Sequence, residues 1–207
     1  AYGLIASHDR NKFEITCYSL NDADDQFTNL YKNVIDKFVD VKNLSYAEIA
    51  EKIHNDKINV LVDLTGHGAG NVLPVFAYKP APVQISGIGY MTTTGIKAMD
   101  YFITDEIVDP VGEHEKYFTE KLWHLPCQFA YAMREDLPQP QYAPATKRDY
   151  PVFGTICRYY KITDEMLKIW KSILERVPNA VLLMRANEFV SNTMIDTAYE
   201  RMKKLGF

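Results

Sequence analysis

One stretch decides the fold: Ile58 to Glu106, which reads INVLVDLTGHGAGNVLPVFAYKPAPVQISGIGYMTTTGIKAMDYFITDE. Asn59 to Leu64 is rich in β-branched and aliphatic residues, and it is long enough for a strand but too short for a helix. Such runs are typical of strands buried on both faces of a parallel sheet that helices cover. The glycine-rich TGHGAGN then falls at the carboxyl end of the strand, where open α/β sheets bind ligands.

Two more strands are predicted in the same stretch, and both end in small or polar residues. Val83 to Ser86 runs into Gly87 and a cluster of three threonines, and Tyr101 to Thr104 ends in Asp105 and Glu106. The carboxyl ends of parallel strands meet at one edge of a sheet. We therefore expect three loops to gather there and form a crevice.

The rest of the chain alternates strands with helices, which predicts the α/β class built from Rossmann-like units. Ser45 and Glu48 have the spacing of a capping box at a helix start. The predicted elements are strands over Phe13 to Leu20, Leu122 to Leu125, Val152 to Ile156 and Ala180 to Met184, and helices over Phe27 to Phe38, Tyr46 to Asn55, Met194 to Leu205 and a segment capped by Thr163 and reaching Val177.

Composition shifts divide the chain into three parts. Residues 1–130 are predicted to form part of an N-terminal Rossmann-like domain, and residues 131–150, which contain several prolines and little periodicity, are predicted to be a linker. Residues 151–207 begin a second strand-helix-strand-helix unit. We expect this second Rossmann-like domain to be incomplete in the chain, with only its first half present.

Charge and cysteine usage exclude several function classes. The net charge of −4, with no basic run, argues against a nucleic-acid partner. No apolar stretch is long enough to span a bilayer and no signal peptide is evident, so the prediction is a cytoplasmic protein without membrane association. The three cysteines and five histidines lack metal-ligand spacing, so no metal site is predicted.

Several strings of the sequence closely resemble the catalytic region of the protein O-linked N-acetylglucosamine transferases and their SPINDLY-type relatives. In order they are VDLTGH, KPAPVQ, GIGY, TTG, MDYFITDE, FGTICRYYKIT and RVPNAVLLM, and the resemblance that they mark extends over nearly the whole chain. The resemblance implies a GT-B fold of two Rossmann-like domains. It also implies an inverting transferase with UDP-N-acetylglucosamine as donor, Ser or Thr of a protein as acceptor, no cofactor, and tetratricopeptide repeats N-terminal to the catalytic region.

Two alternatives stay open beside this function. SPINDLY-type sequences share the same strings, so a protein O-fucosyltransferase that uses GDP-fucose is one of them. The other is a non-catalytic module that binds a sugar nucleotide or a peptide. The family's His-Pro motif and its later histidine and threonine pair would lie outside residues 1–207, so we expect this chain alone to be inactive.

Lys161 is the strongest candidate for donor binding and catalysis. It stands between a predicted strand and a helix start, where a lysine and free amides together form a phosphate site. Without the resemblance, a solvated surface lysine is the simpler interpretation. The resemblance identifies Lys161 with the lysine that contacts the donor pyrophosphate. It also places Arg158 where the family often has an amide residue touching the phosphates, and Tyr160 is either a donor contact or a packing residue.

His67 follows the central strand and could act near neutral pH as a base or a hydrogen-bonding residue. A structural role is the alternative. The resemblance implies a position on the acceptor side. SPINDLY-type members have histidine here and animal enzymes have tyrosine, and this variation argues against a universal catalytic base at the position. Asp63, in the same strand, could contribute to the site or satisfy the amides of the following loop.

The loop after the second strand holds the remaining candidates. Three of its residues match a Leu-Gly-Tyr stretch that lines the N-acetylglucosamine pocket of the family, although Met91 replaces the proline that follows. Three hydroxyls could bind sugar or peptide, or could form turns. These candidates are Ile88, Gly89 and Tyr90 for the donor, and Thr92, Thr93 and Thr94 toward the acceptor.

Transfer by the protein that contains this chain should survive EDTA, because Lys161, Arg158 and helix amides would take the place of a metal ion at the leaving group. The competing motif is Asp22-Ala23-Asp24, a D-x-D string like that of metal-dependent GT-A enzymes. The measurement is the initial rate of transfer after chelation, with and without added manganese. Activity that depends on manganese would favour Asp22 and Asp24 and contradict the prediction.

Overall fold

A computed structural model describes residues 2–21, 25–128 and 142–207. The chain folds into two compact units, residues 1–134 and 135–207. Asp22 and Asp24, and the first half of the predicted linker, lie outside the described residues. Each unit combines helices with parallel strands, as the sequence predicts.

The first unit contains two parallel sheets, one of two strands and one of four. Its elements are helix α1 Tyr2–Ala6, strand β1 Thr16–Ser19, helix α2 Gln26–Lys32, strand β2 Lys37–Asp40, helix α3 Tyr46–Asn55, strand β3 Val60–Val62, helix α4 Leu73–Ala77, strand β4 Val83–Ser86, strand β5 Tyr101–Thr104, a 3₁₀ turn Glu115–Tyr117 and strand β6 Lys121–His124.

The larger sheet has the strand order β3-β4-β5-β6, and every neighbouring pair is parallel. The carboxyl ends of β3, β4 and β5 therefore lie along one edge, which confirms the predicted gathering of three loops. Helices α3 and α4 contribute to the core beside Leu61 of β3, through Ile49, Ile53 and Phe76.

Two expectations for the first unit are wrong. The helix predicted over Phe27 to Phe38 ends at Lys32, and Lys37–Asp40 is instead a strand paired with β1. The pairing is a tertiary contact that local helical periodicity does not reveal. Strand β3 is buried on one face only, because Val60 and Val62 are 48% and 40% exposed. It is an edge strand of its sheet, so fewer neighbours cover it.

The second unit follows the predicted strand-helix-strand-helix order. Its two strands are parallel, and its core is formed by Tyr159, Ile162, Leu167 and Ala198. Its elements are a 3₁₀ turn Pro144–Lys147, strand β7 Val152–Ile156, a 3₁₀ turn Tyr159–Lys161, helix α5 Asp164–Arg176, strand β8 Val181–Arg185, a 3₁₀ turn Asn187–Val190 and helix α6 Asn192–Lys204. Within the described ranges, no helix is long and apolar enough to cross a membrane.

The predicted capping box at the start of α3 is confirmed. The backbone N–H of Glu48 donates to Ser45 Oγ at 3.3 Å, and the backbone N–H of Ser45 donates to Glu48 Oε2 at 2.8 Å. Hydrogen bonds from Ser45 lower the pKa of Glu48. Two N–H groups that the helix itself leaves without partners are thus satisfied.

Replacing this cap should destabilise the first unit. Ser45→Ala is expected to lower the free energy of unfolding by about 1 kcal/mol, because the helix start loses its side-chain acceptor. Ser172→Ala in α5 is the matched control, since the Ser172 hydroxyl only donates to Ile169 O within its own helix. Urea unfolding followed by circular dichroism measures both variants. Equal stability of the Ser45→Ala and Ser172→Ala proteins would contradict the prediction.

Candidate functional site

The loops after β3 and β4 meet at the carboxyl edge of the larger sheet. A Cβ on Gly89 would lie 1.8 Å from the carbonyl oxygen of Leu64, and a Cβ on Gly66 would lie 2.2 Å from Tyr90 Cβ. Gly66 also has a φ of +52°, a conformation that favours glycine. The close approach of the two loops therefore requires glycine at both positions.

Asp63 fixes the loop that follows β3. Its side chain is 3% exposed. Its carboxylate accepts hydrogen bonds from Thr65 N at 3.1 Å, Gly66 N at 2.9 Å and Ser86 Oγ at 2.7 Å. These contacts match the interpretation of Asp63 as the residue that satisfies loop amides, and they tie the end of β3 to the end of β4.

His67 links the two loops. Its exposed imidazole donates from Nε2 to the carbonyl oxygen of Thr93 at 3.0 Å, and its ring meets Tyr90 edge to face with centroids 5.6 Å apart. Since Nε2 carries the proton in this bond, Nδ1 of the neutral ring is left as an acceptor. The structure thus brings together His67, Gly89 and Tyr90 from the predicted set.

The threonines of the second loop are organised by Glu120, a residue that the sequence analysis missed. Glu120 is 5% exposed and accepts from Thr93 Oγ1 at 2.6 Å, from Thr94 N at 2.7 Å and from Thr94 Oγ1. Both hydroxyl protons are therefore directed at this carboxylate. Thr92 is exposed on the same loop. A single glutamate before a strand gives no sequence signal of burial.

Glu120 and Asp105 are held in their charged forms. Burial raises the pKa of Glu120, but hydrogen bonds from Thr93 and Thr94 outweigh this effect and leave its pKa below the ordinary value. Backbone N–H groups of Gln128 and Val108 lower the pKa of Asp105. The Gln128 side chain also donates to Gly87 O at 2.7 Å and to Ile103 O at 3.0 Å, which connects the β4 loop to β5.

The second unit carries its candidates in the turn between β7 and α5. Lys161 is exposed and ends the 3₁₀ turn, two residues before Thr163, whose hydroxyl accepts from Met166 N and caps α5. Tyr160 is 75% exposed, so it is no core residue, and Tyr159 is buried instead. Arg158 Nη1 lies 3.7 Å from Glu188 Oε1.

A pocket of about 200 Å³ opens at the carboxyl ends of β7 and β8. Arg158 is one of its lining residues, whereas Tyr160 and Lys161 are not; the lining is Ile156, Cys157, Arg158, Arg185, Ala186 and Asn187. Within residues 2–21, 25–128 and 142–207, no three His, Cys, Asp or Glu side chains are grouped to hold a metal ion.

Comparisons with known proteins match the chain to one family. Residues 3–137 match the model of glycosyl transferase family 41. The chain is 32% identical over 204 residues to a probable UDP-N-acetylglucosamine–peptide N-acetylglucosaminyltransferase SPINDLY of Eustoma exaltatum subsp. russellianum, covering 96% of this chain and 22% of the relative. It is 34% identical over 190 residues to the probable transferase SEC of Arabidopsis thaliana, covering 86% and 19%.

A solved structure shows the same fold. A mutant O-GlcNAc transferase from Thermobaculum terrenum superposes with a TM-score of 0.87 at 33% identity, covering 99% of this chain and 39% of that chain. This likeness confirms the predicted α/β class with the Rossmann-like units of a GT-B glycosyltransferase. The chain spans about a fifth of the length of the curated relatives that it matches.

Removing the charge of Glu120 should destabilise the first unit at neutral pH. Glu120→Gln is expected to lower the free energy of unfolding by about 2 kcal/mol, because the amide offers one acceptor oxygen where the carboxylate uses two. A carboxyl group whose pKa is lower in the folded state than in the unfolded state stabilises the fold at pH values above its unfolded pKa, which is about 4.3 for Glu. This stabilisation is lost as the pH falls through the pKa of the folded state. The difference between wild type and variant should therefore shrink below about pH 4.3.

Urea unfolding at pH 7 and at stepped acidic pH tests this expectation. The exposed Glu113 supplies the control variant Glu113→Gln, which should match wild type throughout. A Glu120→Gln protein as stable as wild type at pH 7, or a deficit that grows on acidification, would refute the role assigned to Glu120.

Proposed function

Because the chain belongs to glycosyl transferase family 41, we propose that the protein containing it transfers N-acetylglucosamine from UDP-N-acetylglucosamine to Ser or Thr side chains of proteins. The observation that carries this proposal is the match along nearly the whole chain to relatives named peptide N-acetylglucosaminyltransferases. The close approach of two glycine-containing loops at the carboxyl edge of a parallel sheet supports it, since such edges bind ligands in open α/β folds.

The second unit would bind and stabilise the leaving group of the reaction. In an inverting transfer the acceptor hydroxyl attacks the anomeric carbon as the bond to the nucleotide diphosphate breaks, so negative charge develops on the diphosphate. Lys161 precedes the start of α5, where the helix dipole and first-turn amides favour an anion. We propose that Lys161 meets this charge, and that Arg158 and the exposed ring of Tyr160 contact the donor beside it.

The first unit would bind the donor sugar and the acceptor. Ile88, Gly89 and Tyr90 form the loop packed on the end of β3 and would line the sugar site. His67 would face the acceptor, where Nδ1 can take a hydrogen bond or a proton from the attacking hydroxyl. Thr93 and Thr94 would act mainly by fixing this loop through Glu120, and Thr92 would present its hydroxyl.

No metal or other cofactor enters the proposal, because a lysine, an arginine and helix amides can provide the positive field that metal ions supply in other glycosyltransferases. The names of the relatives give no support to the GDP-fucose alternative. Tetratricopeptide repeats ahead of the catalytic region and a cytoplasmic location are further predictions from the family resemblance.

Lys161→Ala should reduce transfer on the order of a hundredfold or more in the protein that contains this chain, because it removes a preorganised charge at the leaving group. UDP binding should weaken as well. Lys168→Ala is the matched control, since Lys168 is exposed in α5 away from the helix start. The measurements are labelled sugar transfer to a peptide mixture and calorimetric titration with UDP. Unchanged turnover in Lys161→Ala would remove Lys161 from the mechanism.

A further inference from the structure

The pocket at the carboxyl ends of β7 and β8 contains a second arginine, which the family resemblance did not single out. Ile156 and Arg185 are the last residues of the two strands and pair in register. The backbone N–H of Cys157 then donates to Arg185 O at 3.2 Å. Both strands therefore end together, and the segments beyond them, Cys157-Arg158 and Ala186-Asn187, form the walls of the pocket.

The charges around this pocket are unequal. Arg158 and Arg185 both line it and both are exposed. One carboxylate, Glu188, lies 3.7 Å from Arg158, and its other oxygen accepts from Tyr159 N at 3.3 Å. Within the part of the chain that the structure describes, no ion pair engages Arg185. The lining thus contains two arginines and no carboxylate, and one carboxylate pairs with Arg158 beside it, which leaves the pocket with a net positive charge.

The pocket suits part of a nucleotide better than a whole one. Its volume of about 200 Å³ is below the roughly 300–1,000 Å³ of sites that enclose a drug-sized ligand. Guanidinium forks bind phosphate oxygens in pairs, which a lysine cannot do. The side-chain amide of Asn187 adds a neutral donor beside them. A small, multiply charged oxyanion is the ligand that matches this lining.

We propose that Arg185 and Arg158 form a clamp for the diphosphate group of a nucleotide, with Arg185 as a donor-binding residue in its own right. This inference rests on the proposed function, since it deepens the description of the donor site. Lys161 lies outside the lining of this pocket. The clamp would hold the diphosphate in both ground state and transition state, while Lys161 would act on the developing charge.

Cys157 provides a reporter of occupancy, because it is one of the residues that line the pocket. In the protein that contains this chain, UDP should slow the alkylation of Cys157 by N-ethylmaleimide, and inorganic pyrophosphate should do so at higher concentration. Cys127 is exposed and outside the pocket, so its alkylation rate serves as the internal reference. Peptide mass spectrometry reads both rates in one sample, and no activity is required.

Variants at position 185 distinguish the effect of the guanidinium geometry from the effect of its positive charge. Arg185→Gln should weaken UDP binding about tenfold to a hundredfold, the range expected for one lost charge-assisted contact. Arg185→Lys should recover part of this loss. Arg176→Gln is the matched control, because Arg176 is an exposed arginine in the last turn of α5, and it should bind UDP as wild type does. Thermal unfolding of each variant checks that the fold is intact.

The outcomes distinguish the clamp from the proposed function. If wild type binds GDP in preference to UDP, and Arg185→Gln weakens GDP binding by the same factor, the clamp stands while the proposed donor is wrong. If wild type binds UDP and Arg185→Gln binds it equally well, the clamp is refuted while the proposed donor survives. Alkylation of Cys157 that neither nucleotide nor pyrophosphate slows would also refute the clamp.

Discussion

Buried carboxylates fix the loops at the carboxyl edge of the larger sheet in the first unit. Asp63, Asp105 and Glu120 are each no more than 5% exposed, and each accepts three hydrogen bonds from residues in the loops and at the strand ends around them. A buried carboxylate destabilises the fold unless it accepts hydrogen bonds. The loops are therefore confined to conformations that supply these bonds. Loops fixed in this way can present backbone and side-chain groups to a substrate without reorganising.

Local chemistry explains why much of the fold could be predicted from the sequence. Strands β4 and β5 and helix α3 with its capping box follow from short-range patterns, and so does the order of the second unit. The gathering of loops at one edge follows because the strands of the larger sheet are parallel. Strand β2 escaped prediction because its identity depends on pairing with β1, which no local periodicity encodes.

The candidate site was less predictable, because its organisation depends on contacts between distant residues. Glu120 reaches back to Thr93 and Thr94, and Gln128 reaches back to Gly87. A buried glutamate and a surface glutamate look alike in sequence. The glycines could be predicted because loops whose backbones approach closely are enriched in glycine. The position of Arg185 in a pocket could not, because it depends on the register between β7 and β8.

The central proposal is that the protein that contains this chain transfers N-acetylglucosamine to peptides. The most direct test is mass spectrometry of acceptor peptides after incubation of the protein that contains this chain with UDP-N-acetylglucosamine and GDP-fucose at equal concentrations. Ser or Thr residues are expected to gain N-acetylhexosamine, with no addition of deoxyhexose. Addition of deoxyhexose, or unmodified peptides after prolonged incubation with folded protein, would contradict it.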